Sequence, residues 1–417
     1  MNPSSSLSSG EIRANQDPLP TTFTKAPSVV HENYNENRGK GAPPQRIVFF
    51  VSHGSKKYSI KFFLPEDKQF QREVDVYRKL SKRKAPFDPS QDMVHFVDTG
   101  ILTIHTSQNR PHYIPLRLDA QKEPVYIELD PKRIKKITET MVRRAKISYD
   151  LYMTNIFAPT LYENGAGEYQ VQYLITEVHQ GFETFKDIWN MEKELRTRGS
   201  ANKNVLAGYI NSNLCLKAIH TVVRAYAAHG FSHYDLHGGN ILLRFSLKSP
   251  HPSNLTNRDI LKMIQTKKAN VTDLQFHVRL FDFDLSYIPE SSDSDPEYHL
   301  WAHAALQLPE SGDNGVRKNY KNVGLYHDLS KLIRTFLARE IKADKEKTGT
   351  YAIKPEFEKE VKRILVGLLP NKFVAKEHVV PKVKEIVRRM FEQGMEHPYG
   401  PILDMIQKEK QTFPCAR

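Results

Sequence analysis

Cysteine is scarce in this sequence, whose 417 residues include only Cys215 and Cys415. Two thiols cannot form a framework of disulfides, and they are too few for a zinc site built from thiolates alone. Sparse cysteine is typical of proteins that fold in a reducing compartment. We therefore expect an intracellular protein whose stability depends on a hydrophobic core.

Long apolar runs are also missing. No stretch approaches the ~18 consecutive apolar residues of a membrane-spanning helix. The opening MNPSSSLSSGEIRANQDP has neither the basic start nor the apolar segment of a secretory signal. The composition, 39% hydrophobic and 10% aromatic, is instead typical of a globular fold. We expect no contact with a membrane.

Acidic residues are outnumbered, with 48 Asp and Glu against 61 Lys and Arg, and the formal net charge is +13. Such a charge favours acidic partners, although a solvated basic surface is the alternative. The densest basic stretch, KRIKKITETMVRRAK at 132–146, holds seven Lys or Arg in fifteen residues. It predicts a helix that either contacts nucleic acid or an acidic partner, or simply exposes its charges to water.

The first 44 residues are rich in Ser, Asn, Pro and Glu, and we expect a disordered leader over 1–44. The pattern changes near residue 45, where the short runs QRIVFFV and KYSIKFF flank the turn SHGSKK and predict a β-hairpin. The next helix is amphipathic, because its apolar side chains recur at intervals of three and four residues. These side chains are Phe70, Val74, Tyr77 and Leu80.

Predicted strands concentrate in the first half of the chain and predicted helices in the second half. Polar segments interrupt the two halves, at about 84–150 and at about 246–274, and both contain basic residues. Strands followed by helices are typical of an α+β protein. We therefore expect a sheet lobe followed by a helical lobe.

Five polar residues occupy defined places in these predicted elements. In GFSHYDLHGGNILLRF, Asp235 and Asn240 are five residues apart, between a long helix and a strand. Asp282 ends a later strand in LFDFDL, Lys61 lies in the strand YSIKFF, and Glu73 lies on the next helix. A phosphoryl-transfer enzyme needs such groups, because it must orient a hydroxyl beside an Asp and hold a metal ion and phosphates.

These motifs, in this order, resemble those of the protein-kinase-like superfamily. The Asp-x-x-x-x-Asn spacing is similar to the kinase catalytic loop, DFD to the Asp-Phe-Gly metal motif, and YSIK to the Val-Ala-Ile-Lys strand. YLITE is similar to the strand that enters the kinase hinge. LYHDLSKLIRTFL is similar to the buried helix whose Asp, here Asp328, holds the catalytic-loop backbone. The resemblance covers roughly residues 45–400.

The resemblance implies a bilobal, protein-kinase-like α+β fold. An N-terminal lobe with an antiparallel sheet would span 45–177 and carry the insert at about 84–150. A helical C-terminal lobe would span 178–417 and carry the insert at about 246–274. The leader could include the start of a Gly loop.

The resemblance also implies ATP and Mg²⁺ as cofactors and a role for each polar residue. Asp235 would orient or deprotonate the substrate hydroxyl. Asn240 and Asp282 would bind the metal ions. Lys61, fixed by Glu73, would hold the α- and β-phosphates.

Two further parts of the nucleotide site follow from the resemblance. Glu177, Val178 and His179 would line the adenine site. Gly39 and Gly41 would form the Gly loop, which here lacks a third glycine and is followed by two prolines without N–H donors. The Gly loop is therefore the weakest match to the family.

Three residues depart from the family pattern. Tyr234 replaces the Arg that, in the family, binds the phosphate of a phosphorylated activation loop. Without this Arg we expect no control by the activation loop, and therefore a constitutively competent enzyme. His237 replaces the catalytic-loop Lys, and it either donates to the γ-phosphate when protonated or positions Asp235. Asp284 replaces a Gly and is either a metal ligand or solvated.

The leading prediction is an ATP-dependent serine/threonine protein kinase acting on an acidic protein, with tyrosine specificity left open. DLHxxN, DFD and the large inserts resemble divergent kinases of large DNA viruses, which implies the host cytoplasm or the virion. The motif H-x-D-L-H-x-G-N is also similar to small-molecule kinases of the aminoglycoside and choline type. A pseudokinase scaffold is the third alternative. The basic inserts favour a protein or nucleic-acid partner over an aminocyclitol or choline.

Overall fold

The fold is a mixed α+β arrangement of antiparallel sheets and helices, which confirms the predicted class and is compatible with a kinase-like fold. The computed structural model describes residues 31–32, 47–64, 68–105, 110–118, 124–152, 168–197, 201–248, 254–288, 325, 328–329, 331–333, 335–337 and 355–368. In chain order the elements are β1 (His31–Glu32), β2 (Val48–His53), β3 (Lys56–Phe63), α1 (Lys68–Leu80), α2 (Pro89–Asp92), β4 (Phe96–His105), β5 (His112–Leu116), β6 (Val125–Leu129), α3 (Pro131–Tyr152), β7 (Glu168–Val178), β8 (Glu183–Thr184), α4 (Phe185–Thr197), α5 (Ala201–His229), β9 (Ile241–Leu247), α6 (Asn257–Gln265), β10 (Leu274–Leu280) and α7 (Pro355–Leu368). The described residues from 325 to 337 are also helical, and we call them the Asp328 helix.

The chain divides into two compact units. Unit 1 contains Met1–Val74 and His95–His179, and unit 2 contains Asp75–Val94 and Gln180–Arg417. The boundary between the units therefore falls within α1. None of the described helices is long and apolar enough to cross a bilayer.

The main sheet of unit 1 has five antiparallel strands in the order β1-β2-β3-β7-β4. The predicted hairpin is confirmed, because all six residues of β2 pair with β3, from Val48 with Lys61 to His53 with Lys56. Its turn contains Gly54 at φ 59°, in the left-handed region that glycine adopts readily. Alternate side chains of the two strands enter the core, as a half-buried strand requires. They are Phe49, Val51, Tyr58, Ile60 and Phe62.

The structure differs from the sequence interpretation at both edges of this sheet. β1 belongs to the predicted leader, yet His31 pairs with Phe50 on β2. An edge strand presents unpaired N–H and C=O groups, to which even a short segment can add. β4 belongs to the predicted insert at 84–150, yet it pairs with β7 from Phe96 to His105. The Asp and Thr residues of FVDTGILTIH obscure the apolar alternation that would identify this strand.

The elements that follow β4 in the 84–150 segment also contribute to the core of unit 1. The hairpin β5–β6 and helix α3 bury apolar side chains in the same cluster as the main sheet. The buried side chains of this segment are Leu102, Ile104, Ile114, Leu116, Ile127, Leu129, Ile134, Ile137 and Met141. On α3, Lys132 and Lys135 are exposed, so these two basic residues lie on the solvent side of a helix that packs through its apolar stripe.

Unit 2 is organised around the long helix α5, which packs against α4, β10 and α7. As predicted, α5 ends at Gly230, whose φ is 65° and whose N–H donates to the carbonyl of Tyr226 at 2.7 Å. A left-handed glycine after the last helical residue is a common helix stop. The chain leaves α5 here and enters the segment with Asp235 and Asn240.

Strands β8, β9 and β10 form an antiparallel sheet in the order β10-β9-β8. The predicted insert at 246–274 is the connection between β9 and β10, and it carries α6. Buried Asn257 ties α6 to this sheet, because it accepts the N–H of Phe245 at 2.7 Å and donates to Glu183 at 2.7 Å. A buried amide with donors and acceptors on both sides is satisfied.

The packing of α3 predicts how its two faces respond to substitution. Ile137→Ala removes a fully buried side chain, and we expect the free energy of unfolding to fall by about 2–5 kcal/mol. Lys135→Ala, on the solvent face, should change it by less than ~0.5 kcal/mol. Urea denaturation followed by circular dichroism measures both values. Equal, negligible effects would mean that α3 does not pack in this way.

A second prediction concerns acid stability. Burial, with Arg224, Lys217 and Arg363 nearby and only Glu360 opposing them, lowers the pKa of His220 from 6.5 to about 4. Between those pH values the unfolded chain binds a proton that the folded chain does not, so the free energy of unfolding decreases as the pH falls through this window. His220→Gln should weaken that decrease between pH 6.5 and 4, measured by urea denaturation at several pH values.

The exposed Lys268 is the control for this measurement. Lys268→Gln should retain the pH dependence of the wild-type protein. If His220→Gln retains it as well, His220 is not held neutral by its surroundings.

Candidate functional site

The segment from Gly230 to Asn240 is held by a buried carboxylate. Asp328 is fully buried, and it accepts the backbone N–H of His233 at 2.6 Å and that of Tyr234 at 2.8 Å. The contact expected from the family resemblance is therefore present. Tyr234 has φ 61°, a conformation uncommon outside glycine, and its side chain is buried. Buried contacts on both sides of the backbone hold this conformation in place.

The same segment is tied to the residues that follow β10. Ser232 and Tyr287 exchange both backbone hydrogen bonds, at 2.9 and 2.8 Å. The Nε2–H of His233 donates to the carbonyl of Phe281 at 3.0 Å, and the hydroxyl of Ser286 donates to the carbonyl of His233 at 3.1 Å. These bonds fix the backbone around Asp282 relative to the loop that carries Asp235.

Phe283, the central residue of DFD, is an aromatic anchor. It is fully buried, and its ring centroid lies 4.6 Å from that of Tyr77, 5.6 Å from Phe231 and 5.5 Å from His233. Tilted and edge-on pairs of this kind stabilise a core. Asp282, with φ 64°, and Asp284 flank this anchored ring, and both side chains are partly exposed.

Asp235 keeps a partly exposed carboxylate inside this fixed frame. The Nδ2 amide of Asn240 donates to its Oδ2 at 3.1 Å and to its backbone carbonyl at 3.0 Å. Nε2 of His237 lies 3.6 Å from Oδ2, and the ammonium of Lys331 lies 3.7 Å from Oδ1. The structure thus brings together the three predicted catalytic residues Asp235, His237 and Asn240.

Lys331 was not predicted from the sequence. The residue lies on the Asp328 helix, one turn after Asp328, in LYHDLSK. Side chains three positions apart share a helix face. A search for basic residues one turn from Asp328 would have found Lys331.

His237 is oriented by its neighbouring backbone. The N–H of Gly239 donates to Nδ1 of His237 at 2.9 Å, so the proton of the neutral ring lies on Nε2, which faces Asp235. A Cβ at Gly239 would lie 2.7 Å from the imidazole, so a larger residue here would displace His237 from its present orientation. One of the two roles considered for His237 is to position Asp235. The contact that this role requires is present.

Lys61 and Glu73 form the expected ion pair in unit 1. Their side chains meet at 2.8 Å, with the Glu73 side chain 2% exposed and that of Lys61 15% exposed. The Lys61 ammonium also lies 5.3 Å from the ring centroid of Phe63. A nearly buried carboxylate bound to a cation holds that cation in one position.

The three residues predicted for the adenine site lie at the end of β7. Glu177 contacts Lys56 at 3.2 Å and His95 at 3.4 Å, and its backbone N–H donates to the carbonyl of His95 at 2.9 Å. Burial opposes ionisation of Glu177, but hydrogen bonds from Lys56 and His95 lower its pKa overall. Nε2 of His179 accepts the N–H of His95 at 3.4 Å, and Val178 pairs with Lys57 on β3.

A magnesium site would depend on oxygen ligands. No group of three or more His, Cys, Asp or Glu side chains suited to a metal occurs among the described residues. Mg²⁺ does not require such a cage, since it retains several waters and binds one or two protein oxygens together with phosphates. Asn240 donates through Nδ2, which leaves its Oδ1 as the ligand atom, and Asp282 offers a carboxylate. These residues fit the ion. Gly39 and Gly41 lie outside the described residues.

Comparison with known proteins gives little resemblance by sequence. No family model matches the chain, and no curated protein matches it. Among solved structures, one described as "WaaP in complex with acyl carrier protein" is similar at 11% identity and a TM-score of 0.32, over 91% of this chain and 87% of that chain. Similarity this low defines neither the fold nor the function.

The anchoring of the loop predicts a large effect at Asp328. In Asp328→Asn, the amide has one oxygen for two backbone N–H donors, and its NH₂ group would face one of them. We expect the free energy of unfolding to fall by about 2–4 kcal/mol. Asp273→Asn, at a partly exposed position, should change it by less than ~0.5 kcal/mol. Urea denaturation measures both, and similar values for the two variants would contradict the anchoring role.

Proposed function

We propose that this protein is a phosphotransferase that moves the γ-phosphate of Mg²⁺–ATP to a hydroxyl, and that the acceptor is a Ser or Thr of a protein. The observation that carries the proposal is the Asp235–Asn240 loop. Its backbone is fixed by buried groups while the carboxylate of Asp235 stays partly exposed and oriented. A general base needs this combination of fixed position and access.

Asp235 would receive the proton of the acceptor hydroxyl. The bond from the acceptor oxygen to the γ-phosphorus forms as the bond to the β–γ bridging oxygen breaks, and ADP leaves with that oxygen. Asn240 holds Oδ2 of Asp235, which leaves Oδ1 turned towards Lys331. His237, beside Oδ2, would limit rotation of the carboxylate.

Lys61, held by Glu73, would bind the α- and β-phosphates. Asn240 and Asp282 would hold Mg²⁺. The ion held by these two residues would supply positive charge that offsets part of the negative charge of the phosphates. Glu177, Val178 and His179 would contact adenine, and the Gly loop would be supplied by Gly39 and Gly41.

The acceptor is proposed to be an acidic protein, because the chain carries a net charge of +13 and α3 exposes Lys side chains. Contact of 132–146 with nucleic acid is a less favoured use of the same surface. The resemblance to kinases of large DNA viruses supports an intracellular setting, in the host cytoplasm or virion. A small-molecule phosphotransferase shares these catalytic groups, so the acceptor must be determined by experiment.

Transfer of labelled γ-phosphate from Mg²⁺–ATP tests this function, with an acidic protein, a basic protein and a panel of small alcohols as acceptors. We expect label on Ser or Thr of the acidic protein, and Asp235→Asn should reduce the rate by about 10²- to 10⁴-fold because the base is lost. Asp273→Asn is the matched control and should retain the rate. EDTA should abolish transfer.

Other outcomes have definite meanings. Label on small alcohols alone would identify a small-molecule phosphotransferase. No transfer from a chain that still binds ATP would identify a pseudokinase scaffold. A rate unchanged by Asp235→Asn would exclude Asp235 as the base.

A further inference from the structure

A lysine distant in sequence lies beside the candidate base. The ammonium of Lys331 is 3.7 Å from Oδ1 of Asp235, and its side chain is 23% exposed. The catalytic-loop motif supplies no Lys or Arg at this place, since the position two residues after Asp235 is His237. Lys331 therefore adds a positive charge to the loop.

The position of Lys331 is set by the element that anchors the loop. Asp328 binds the backbone of His233 and Tyr234, and Lys331 lies one helical turn further on. Residues three apart lie on one helix face. One helix therefore fixes both the backbone of the loop and the cation beside Asp235.

The ammonium of Lys331 keeps donor capacity for a ligand. A separation of 3.7 Å exceeds the ~2.7–3.2 Å of a hydrogen bond, so the contact with Oδ1 is an ion pair without a short bond. An ammonium has three N–H donors and no acceptor. A phosphoryl oxygen next to Asp235 could accept one of them without displacing Asn240 from Oδ2.

The proposed reaction creates a need for this charge. Asp235 is anionic, and the transferred phosphoryl group spreads negative charge over three oxygens as it passes between bridging oxygen and acceptor. These charges repel each other at short range, and a fixed cation between them offsets the repulsion. His237 is poorly suited to the role of this fixed cation. Its Nδ1 accepts the N–H of Gly239 and therefore carries no proton, so the imidazole in this arrangement has no positive charge.

We propose that Lys331 is a catalytic residue that binds the γ-phosphoryl group directly, while His237 only positions Asp235. The proposal rests on the phosphotransferase function proposed above. It assigns the phosphoryl-binding cation to the Asp328 helix rather than to the loop itself.

Nucleotide binding provides a test that does not need turnover. Lys331→Met retains the length of the side chain and removes the charge. The dissociation constant of Mg²⁺ and a non-hydrolysable imido analogue of ATP should rise at least ~5-fold, whereas that of ADP should change less than ~2-fold, measured by calorimetry. Lys331→Arg should retain the preference for the analogue, and the exposed Lys268→Met should match the wild type. Equal changes for both nucleotides would overturn the proposal.

Kinetics separate direct contact from positioning. Single-turnover rates should fall about 10²- to 10³-fold in Lys331→Met and be largely restored in Lys331→Arg. If Lys331 contacts the phosphoryl group, Lys331→Met should also slow the residual reaction of Asp235→Asn at least ~10-fold. If it acts only through Asp235, the double variant should equal Asp235→Asn, which would overturn the proposal.

The two proposals can fail separately. A wild-type protein that binds both nucleotides but transfers no phosphate would refute the phosphotransferase function, and the binding comparison would still decide the role of Lys331. A wild-type protein that transfers phosphate with no loss in Lys331→Met would refute the role of Lys331 alone. A wild-type protein that binds neither nucleotide would refute both.

Discussion

The buried carboxylate of Asp328 is the contact on which the site depends. Transferring an ionised carboxylate from water to a protein interior costs several kcal/mol unless hydrogen bonds compensate it. Here two hydrogen bonds compensate this cost. The backbone N–H of His233 donates to Oδ2 of Asp328, and that of Tyr234 donates to Oδ1. The loop therefore has one low-energy arrangement, because any other would leave a buried charge without these donors. The left-handed backbone at Tyr234 is maintained by the same bonds.

The second support of the loop is aromatic and backbone packing on its other side. Phe283 packs against Tyr77, Phe231 and His233, and Ser232 pairs with Tyr287. All these groups are buried, whereas Asp235 and Asp282 are not fully buried. Fixed backbone and accessible carboxylates are the combination that chemistry on a bound ligand requires.

Local and periodic features were predictable from the sequence. The β2–β3 hairpin, the amphipathic helix α1 and the end of α5 at Gly230 each depend on residues close together in the chain. The α+β class followed from the order of the predicted strands and helices, and the anchoring role of Asp328 followed from a motif that resembles a kinase helix. The interpretation of 84–150 as an insert missed β4, because polar residues interrupt its alternation and only pairing with β7 identifies the strand. The pairing of His31 with Phe50 and the contact of Lys331 with Asp235 join distant parts of the chain, which neither periodicity nor spacing can connect.

The two oxygens of Asp235 have different neighbours, and this asymmetry divides the proposed chemistry. Oδ2 lies beside the amide of Asn240 and the imidazole of His237. The Asn240 amide also donates to the backbone carbonyl of Asp235, and Nδ1 of His237 accepts the N–H of Gly239. Oδ1 faces the ammonium of Lys331, whose donors can be shared with an anion. We therefore expect the groups beside Oδ2 to orient the carboxylate of Asp235, and the ammonium beside Oδ1 to neutralise negative charge. A cation carried by the anchoring helix reorganises little during reaction, which is the condition under which electrostatic stabilisation is most effective.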